Sequence, residues 1–350
     1  MAFPPPRPDL QPRLAVVVDT EEEFDWTKPF ARENRGVTAI PAQTSAHAIY
    51  DKLGVVPTYV VGYPVITDST AARLFAGLKA DGRAEVGAHL HPWVTPPHDE
   101  EVTTANSYAC NLPPALERAK IATLTDAIAE ALGERPTIFK AGRHGFGPNT
   151  CRVLADLGYR VDCSSVPYTS FASDGGPVFY GQPDQPFWLD RDRRLLEIPV
   201  TNAYFGAAAA LGPRMQPMFD DRRAARLHIP GLLARSGLLS RARLTPEGVP
   251  ADAQCRLLDA MVGRGLTTFT MVYHSPSLVP GNTPYVRSED DLQRFLAAID
   301  TVLRYFRDRL GGRFTTLSRI YEDQCATLTV GSGAARASRA HAIEPASLTP

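Results

Sequence analysis

Two histidines one residue apart, His89 and His91, are the sharpest chemical feature of this 350-residue sequence. On an extended chain positions i and i+2 point to the same side, so both imidazoles can converge on one ion while Leu90 turns into packing. A second feature is the acidic run DTEEEFDW, which begins at Asp19. If extension continues there, Asp19, Glu21 and Glu23 share one face, and Thr20 and Glu22 share the other. One carboxylate of such a cluster can complete a metal site and another can act as a base. Glu22 and Glu23 are read as a solvated acidic loop. Asp19 differs, because it abuts an unbroken apolar run, where a carboxylate needs a partner or a metal to offset its desolvation. The third feature is His274, followed by SPSLVPGNTPY. A pKa near neutrality suits its imidazole for proton donation to a leaving amine. Arg143 and Asp162 are read as an ion pair across adjacent strand ends, either orienting substrate or purely structural.

These residues are held together by what precedes them. Asp19 follows LAVVV (14–18), the histidine pair follows AEVGA, Arg143 follows TIFKAG, Asp162 lies in YRVDCSS, and His274 follows TTFTMVY. Each run reads as a strand by its apolar, β-branched content, and amphipathic stretches alternate with them, which argues a parallel α/β sheet or barrel. Helices are expected near 44–53, 69–80, 113–132, 149–157 and 289–310, with a helical pair within 220–262. Further strands are expected at 57–62, 195–201 and 314–318. In a parallel barrel the strand ends share one rim, the rim where catalytic groups gather. Residues 166–194, rich in Pro, Gly, Asp and aromatics, read as an excursion over that face. We read residues 13–325 as one barrel domain, 1–12 as an extended proline-rich leader and 326–350 as a disordered tail.

Composition narrows the class. Hydrophobic residues at 44% and charged residues at 21% are ordinary for a globular chain. A formal charge of −1 excludes the strongly basic surface of a non-specific nucleic-acid binder. No apolar run reaches the length of a membrane helix. The start, MAFPPPRPDLQPR, lacks the apolar core of a secretory signal. Five widely spaced cysteines without a CxxC argue for reduced thiols. Together these features lead to the expectation of a soluble, cytoplasmic protein with neither nucleic-acid partner nor membrane span. Phosphate-loop, dinucleotide and nucleophile-elbow motifs are absent.

The ordered set Asp19, EVGAHLHP, FKAGR, VDCSS and a late strand ending in His274 resembles the polysaccharide deacetylase family, the NodB-homology group or carbohydrate esterase family four. DTEEEFDW, PTYVVGYPV, GAHLHPWVTPP, AGRHGFG and YHSPSLVPGNTPYV look like its WalW-like branch, which is associated with cell-wall and lipopolysaccharide polysaccharide genes. The resemblance spans about residues 14–320. It implies a single distorted (β/α) barrel and a metal-dependent hydrolase, commonly with zinc, that removes acetyl groups from N-acylated sugars or polysaccharide intermediates. It also implies Asp19 as general base, His89 and His91 as metal ligands, His274 as general acid, and Arg143 and Asp162 in the arginine and aspartate motifs. The sequence departs from the family at three places. Asp19-Thr20-Glu21 replaces adjacent aspartates, making Glu21 the carboxylate ligand; the histidine spacing is shortened to HxH; Lys140 stands where arginine is more usual. Trp26, Trp93 and Tyr285 offer either flat apolar surfaces for a sugar ring or rim packing. Two other readings stay open: a non-catalytic carbohydrate-binding or regulatory barrel, and an amidase or deformylase acting on another C–N bond.

Overall fold

The run from Leu14 to Val18 has no polar face, and such a strand is stable only where both faces are covered. The computed structural model describes residues 11–220 and 228–327. In it this run is the centre of β1 (Arg13–Thr20), buried throughout after Arg13. The other main strands follow in chain order: β2 (Thr58–Val61), β3 (Glu85–Leu90), β4 (Ile138–Ala141), β5 (Val161–Asp162), β6 (Phe187–Trp188) and β7 (Leu196–Glu197). Then come β8 (Asn202–Phe205), β9 (Ser240–Arg243), β10 (Thr268–His274) and β11 (Arg313–Phe314). The large sheet runs β10-β1-β2-β3-β4-β5-β7-β6, parallel except for the β6–β7 pair, with β11 beside the start of β1. Helices cover its outer face, and the curled sheet is the expected distorted (β/α) barrel.

Its seam is unusual. Among the described residues no backbone ladder joins the β6 edge to β10. The Gln185 side chain does so instead: its Oε1 accepts the amides of Thr267 and Thr268 at 3.1 and 3.0 Å, and its Nε2 donates to the Thr268 carbonyl at 2.9 Å. Thr201 adds a second clasp, its Oγ1 accepting the Thr270 amide at 2.8 Å.

The helices begin and end where local chemistry dictates. Asp68 accepts the amides of Thr70 and Ala71 at the start of Ser69–Ala80. Pro114–Leu132 starts on proline and stops at Gly133, whose φ of 77° only glycine adopts without strain. Glu289–Asp308 carries a Ser288/Asp291 capping box and buries Phe295, Ile299, Val302, Leu303 and Phe306 along one stripe. None of the helices among the described residues is long and apolar enough to cross a membrane.

Three expectations need correction. The stretch read as a helical pair holds Ile229–Arg235 and Ala251–Gly263, with β9 between them pairing antiparallel with β8; 221–227 lie outside the described residues. The strand expected at 195–201 is two residues long, because Pro199 has no N–H to continue the ladder. The last expected strand stops at Phe314, and a helix occupies 317–327, its first turn bonded by Thr316 Oγ1 accepting the Arg319 amide at 3.2 Å. The leader and tail lie outside the described residues except for 11, 12, 326 and 327, the last two still helical.

Candidate metal and acid–base site

β1 and β3 end two strands apart on the same rim, which brings their polar residues together. His91 keeps an extended backbone after β3, so the i, i+2 rule holds and the two imidazole centres lie 4.7 Å apart. Glu21 Oε2 sits 3.3 Å from His89 Nε2 and 3.4 Å from His91 Nε2, with all three residues buried. The ligand-capable atoms lie within 4.8 Å of one another. Each remaining nitrogen is committed: His89 Nδ1 is 3.2 Å from the Lys140 carbonyl, and His91 Nδ1 is 2.7 Å from Glu22 Oε1. With protons on both Nδ1 atoms, both Nε2 lone pairs face Glu21, the arrangement of metal-ligating histidines backed by a carbonyl or carboxylate. His89 Nε2 and Glu21 Oε1 are buried yet have no hydrogen-bond partner. Two orphaned polar atoms in one buried cluster carry a desolvation cost that an ion would remove. Two imidazoles and one carboxylate with room beside them fit a divalent ion of the zinc type.

The local charges are coherent with that fit. Burial pulls the His89 imidazole below its ordinary range. Burial acts on His91 in the same sense, but the Glu22 carboxylate outweighs it and raises the net value. Burial would raise Glu21, and the surrounding histidines more than reverse that. Glu22 is therefore no solvated acid. The chain leaves the extended conformation after Thr20, the face alternation ends, and Glu22 turns inward beneath His91. Glu23, expected beside it in solvent, bonds Thr38 Oγ1 at 3.0 Å and the Ala39 amide.

The second half of the site lies where β1 meets β10, Asp19 and His274 being direct partners in the ladder. Asp19 Oδ2 is 3.7 Å from His274 Nε2. Lys140 Nζ, almost wholly buried, donates to both Asp19 oxygens at 2.6 and 2.7 Å. Burial alone would raise the Asp19 carboxyl; Lys140, His89 and His274 together hold it well below the usual carboxylate range. His274 is the one member with appreciable exposure, 24% of its side chain. Burial lowers its pKa, and the charges of Glu247, Glu21 and Asp19 outweigh that, raising it to about 9.

These groups open into a pocket of about 340 Å³. Trp26 and Tyr285 form part of its wall, the indole standing edge-on to His274 at 5.2 Å and to Tyr285 at 5.7 Å. Trp93 is not on the wall: it is 1% exposed and stacks behind His91 at 4.2 Å, because the turn after His91 folds it under the rim. Arg143 does line the pocket, its guanidinium 4.1 Å from the Tyr108 ring centre and 3.3 Å from Asp174. The expected Arg143–Asp162 ion pair is absent. Asp162 ends β5 opposite Phe139, two residues before the end of β4, and is fully buried, accepting from Ser164 Oγ at 2.8 Å. The turn over Gly142–His144 meanwhile swings Arg143 to the outer wall, with φ of 53° at Arg143 and 61° at His144. Gly142 itself is required by contact, since a Cβ there would overlap the His91 ring and approach the Leu90 carbonyl to 2.6 Å.

No family model and no curated protein matches the sequence. Solved structures do resemble it. A protein from Mycobacterium smegmatis described as a polysaccharide deacetylase is similar over 100% of this chain and 99% of its own, with 16% identity and a TM-score of 0.49. The Puue allantoinase is similar over 93% of this chain and 95% of its own, at 16% identity and a TM-score of 0.53. A protein from Pseudomonas aeruginosa described as a polysaccharide deacetylase covers 91% of this chain and 93% of its own, with 15% identity and a TM-score of 0.50. This is the polysaccharide-deacetylase fold.

On this polysaccharide-deacetylase fold, three groups that the sequence left unassigned sit at the centre. Glu247 accepts the His274 amide at 3.1 Å and faces its Nδ1 at 2.7 Å. It lies in the loop TPEGVP, inside the stretch read as helical, and the flanking Pro246, Gly248 and Pro250 were the available signal that this is a turn. Lys140 is the direct partner of Asp19, a pairing visible only once β1 and β4 share a rim. Arg243, at the end of β9, lines the same pocket.

Proposed function

We propose that this chain is a metal-dependent hydrolase that removes an N-acyl group, acetyl in the simplest case, from an amino sugar or polysaccharide intermediate of cell-wall or lipopolysaccharide type. The observation that supports it most is a buried Glu-His-His cluster with orphaned ligand atoms beside an Asp19–His274 pair 3.7 Å apart, all in one pocket. Glu21, His89 and His91 would hold the ion. A divalent ion, zinc on this reading, supplies a Lewis acid for the acyl carbonyl and acidifies water.

The chain's own groups then divide the protons. Asp19, kept ionised by Lys140, accepts a proton from water as the new C–O bond forms. His274, protonated and braced by Glu247, donates from Nε2 to the amine nitrogen as the C–N bond breaks, because an amine anion is too poor a leaving group to depart unassisted. The products are a carboxylic acid and a free amine. Trp26 and Tyr285 give a sugar ring apolar surface to lie against. Arg143 shapes the wall, and Asp162 braces β5 from beneath without touching substrate. A second reading, hydrolysis of a different C–N bond, takes its support from the allantoinase of the same fold and uses the same residues.

The test is metal content by elemental mass spectrometry for the wild type and the His89→Ala/His91→Ala variant, followed by product release from N-acetyl and N-formyl sugars. Near-stoichiometric divalent metal, lost in a still-folded variant, together with acetate or formate release supports the proposal. A wild type that holds no metal after reconstitution overturns it in favour of a carbohydrate-binding barrel.

A further inference from the structure

We infer that the substrate carries an anionic group, a carboxylate or a phosphate, close to its acylamino group, and that Arg243 binds it. The inference rests on the hydrolase reading above for where the acylamino group sits, and it adds a substrate class to that reading.

Arg243 closes β9, where it pairs across to Asn202, and the next amide, Leu244 N, is bonded to the Thr201 carbonyl at 2.8 Å. Its backbone is therefore fixed, and its side chain is part of the pocket wall with Asp19, His89, His144, His274 and Tyr285. Among the described residues, no carboxylate or carbonyl accepts a hydrogen bond from its guanidinium. Every other cation in the pocket wall with an ordinary side-chain charge has a partner: Arg143 has Asp174, and Lys28 has Asp25 at 3.1 Å. Arg241, two residues earlier on the same strand, pairs with Asp220 at 2.7 Å.

The carboxylates near Arg243 are already taken. Asp19 gives both oxygens to Lys140. Glu247 gives Oε1 to the His274 amide and Ser277 Oγ, and Oε2 to His274 Nδ1. Burial depresses the Arg243 pKa, and Tyr285, Glu247 and Asp19 do not make up for it. A guanidinium stays charged under all ordinary conditions, and its planar fork matches carboxylate or phosphate with two parallel bonds. A half-buried, unpaired guanidinium in a substrate pocket is a binding site waiting for a counter-charge. A sugar hydroxyl would satisfy one N–H without neutralising the charge, so the geometry favours an anion.

The metal-loaded protein is titrated by calorimetry with N-acetylglucosamine, N-acetylmuramic acid and N-acetylglucosamine 1-phosphate, and acetate release from each is followed separately. We expect one anionic sugar to bind at least about tenfold more tightly than the neutral one, the advantage weakening with salt. Arg243→Gln should bring the sugars to within about twofold, chiefly through KM, Arg243→Lys should restore part of the preference, and both variants should keep wild-type melting and metal content. Which anionic sugar wins distinguishes a carboxylate from a phosphate. Equal affinity for all three sugars, no binding of any, or a preference that survives Arg243→Gln overturns the inference. Acetate release with equal affinities would leave the hydrolase reading standing and remove the anion site; an Arg243-dependent preference without acetate release would do the reverse.

Discussion

Glu247 holds His274 twice, accepting its backbone amide at 3.1 Å and facing its Nδ1 at 2.7 Å, so one carboxylate sets the position, tautomer and charge of the imidazole. Burial works against that charge, and Glu247 heads the groups that overcome it to give a pKa of about 9. A folded value above the ordinary 6.5 means stability that is complete below pH 6.5 and lost as pH rises towards 9. Glu247→Gln removes the leading cause. Its alkaline limb in the kcat–pH profile is expected at lower pH than that of the wild type, with KM little changed. In the metal-loaded enzyme Glu21 is spent on the ion, so the wild-type limb itself is expected below 9. An unmoved limb in Glu247→Gln would show that His274 is not the group that titrates.

Lys140 and Asp19 form a buried pair, and removing one member leaves the other charged and unpaired. Lys140→Met is expected to cost about 3 to 5 kcal/mol in urea unfolding of the chelated protein at pH 7. The pH dependence should also change sign. In the wild type Asp19 lies below its ordinary 3.8, so its contribution is present above that value and fades as pH falls further. Without Lys140, burial dominates and raises the carboxyl, so the variant should gain stability on acidification.

Gly142 and Glu22 both act on His91, one by leaving space and the other by holding Nδ1. Gly142→Ala should displace the ring, and Glu22→Gln should weaken its orientation. Each is expected to lower metal affinity by about 10- to 100-fold in a folded protein, as loss of outer support for a ligand does. Chelator competition measures it, and wild-type affinity in both variants would remove the assignment of His91 as a ligand.

Asp162 and Glu197 are neighbours in the β5–β7 ladder, both fully buried. Burial raises both carboxyls, Glu197 furthest because Asp162 adds its charge. Raised folded values mean that ionising both at neutral pH weakens the fold, whereas at pH 4 the proton they retain costs nothing. Glu197→Gln is therefore expected to melt no lower than the wild type at pH 8 and to lose that standing at pH 4. Melting curves at the two pH values decide it.

The rim was legible in the sequence because it rests on local rules. Unbroken β-branched runs give buried parallel strands, each finishing at a polar residue, and an HxH on a strand converges whatever lies around it. What stayed illegible depends on contacts between distant segments. Glu22 looked like solvent-facing acid until the chain turned after Thr20, and Trp93 looked like a platform until the turn after His91 hid it. The Arg143–Asp162 pair failed because Arg143 lies inside the turn Gly142–His144, which aims it at the outer wall while Asp162 stays buried opposite Phe139. Glu247 lies 27 residues from His274 in sequence, and no local pattern links a loop carboxylate to the imidazole that it supports.

Where the lobe at 166–194 meets β10, Gln185 makes the seam a side-chain clasp. The backbone bonds to β10 on this side come from outside the lobe, Thr201 N donating to the Thr270 carbonyl at 3.3 Å and Val272 N to the Leu244 carbonyl at 3.1 Å. A ladder transmits register, since a slip of one residue reverses every side chain along the strand. A side-chain clasp transmits none. The lobe at 166–194, which brings Phe171 and Asp174 to the pocket, can therefore lengthen, shorten or be rebuilt without shifting β10 and the histidine at its end. At that edge the lobe is tied to β10 by a side chain and not by a ladder, as two parts of a bridge are tied at an expansion joint. Substrate range can drift on one side of that joint while the proton-handling groups on the other hold still.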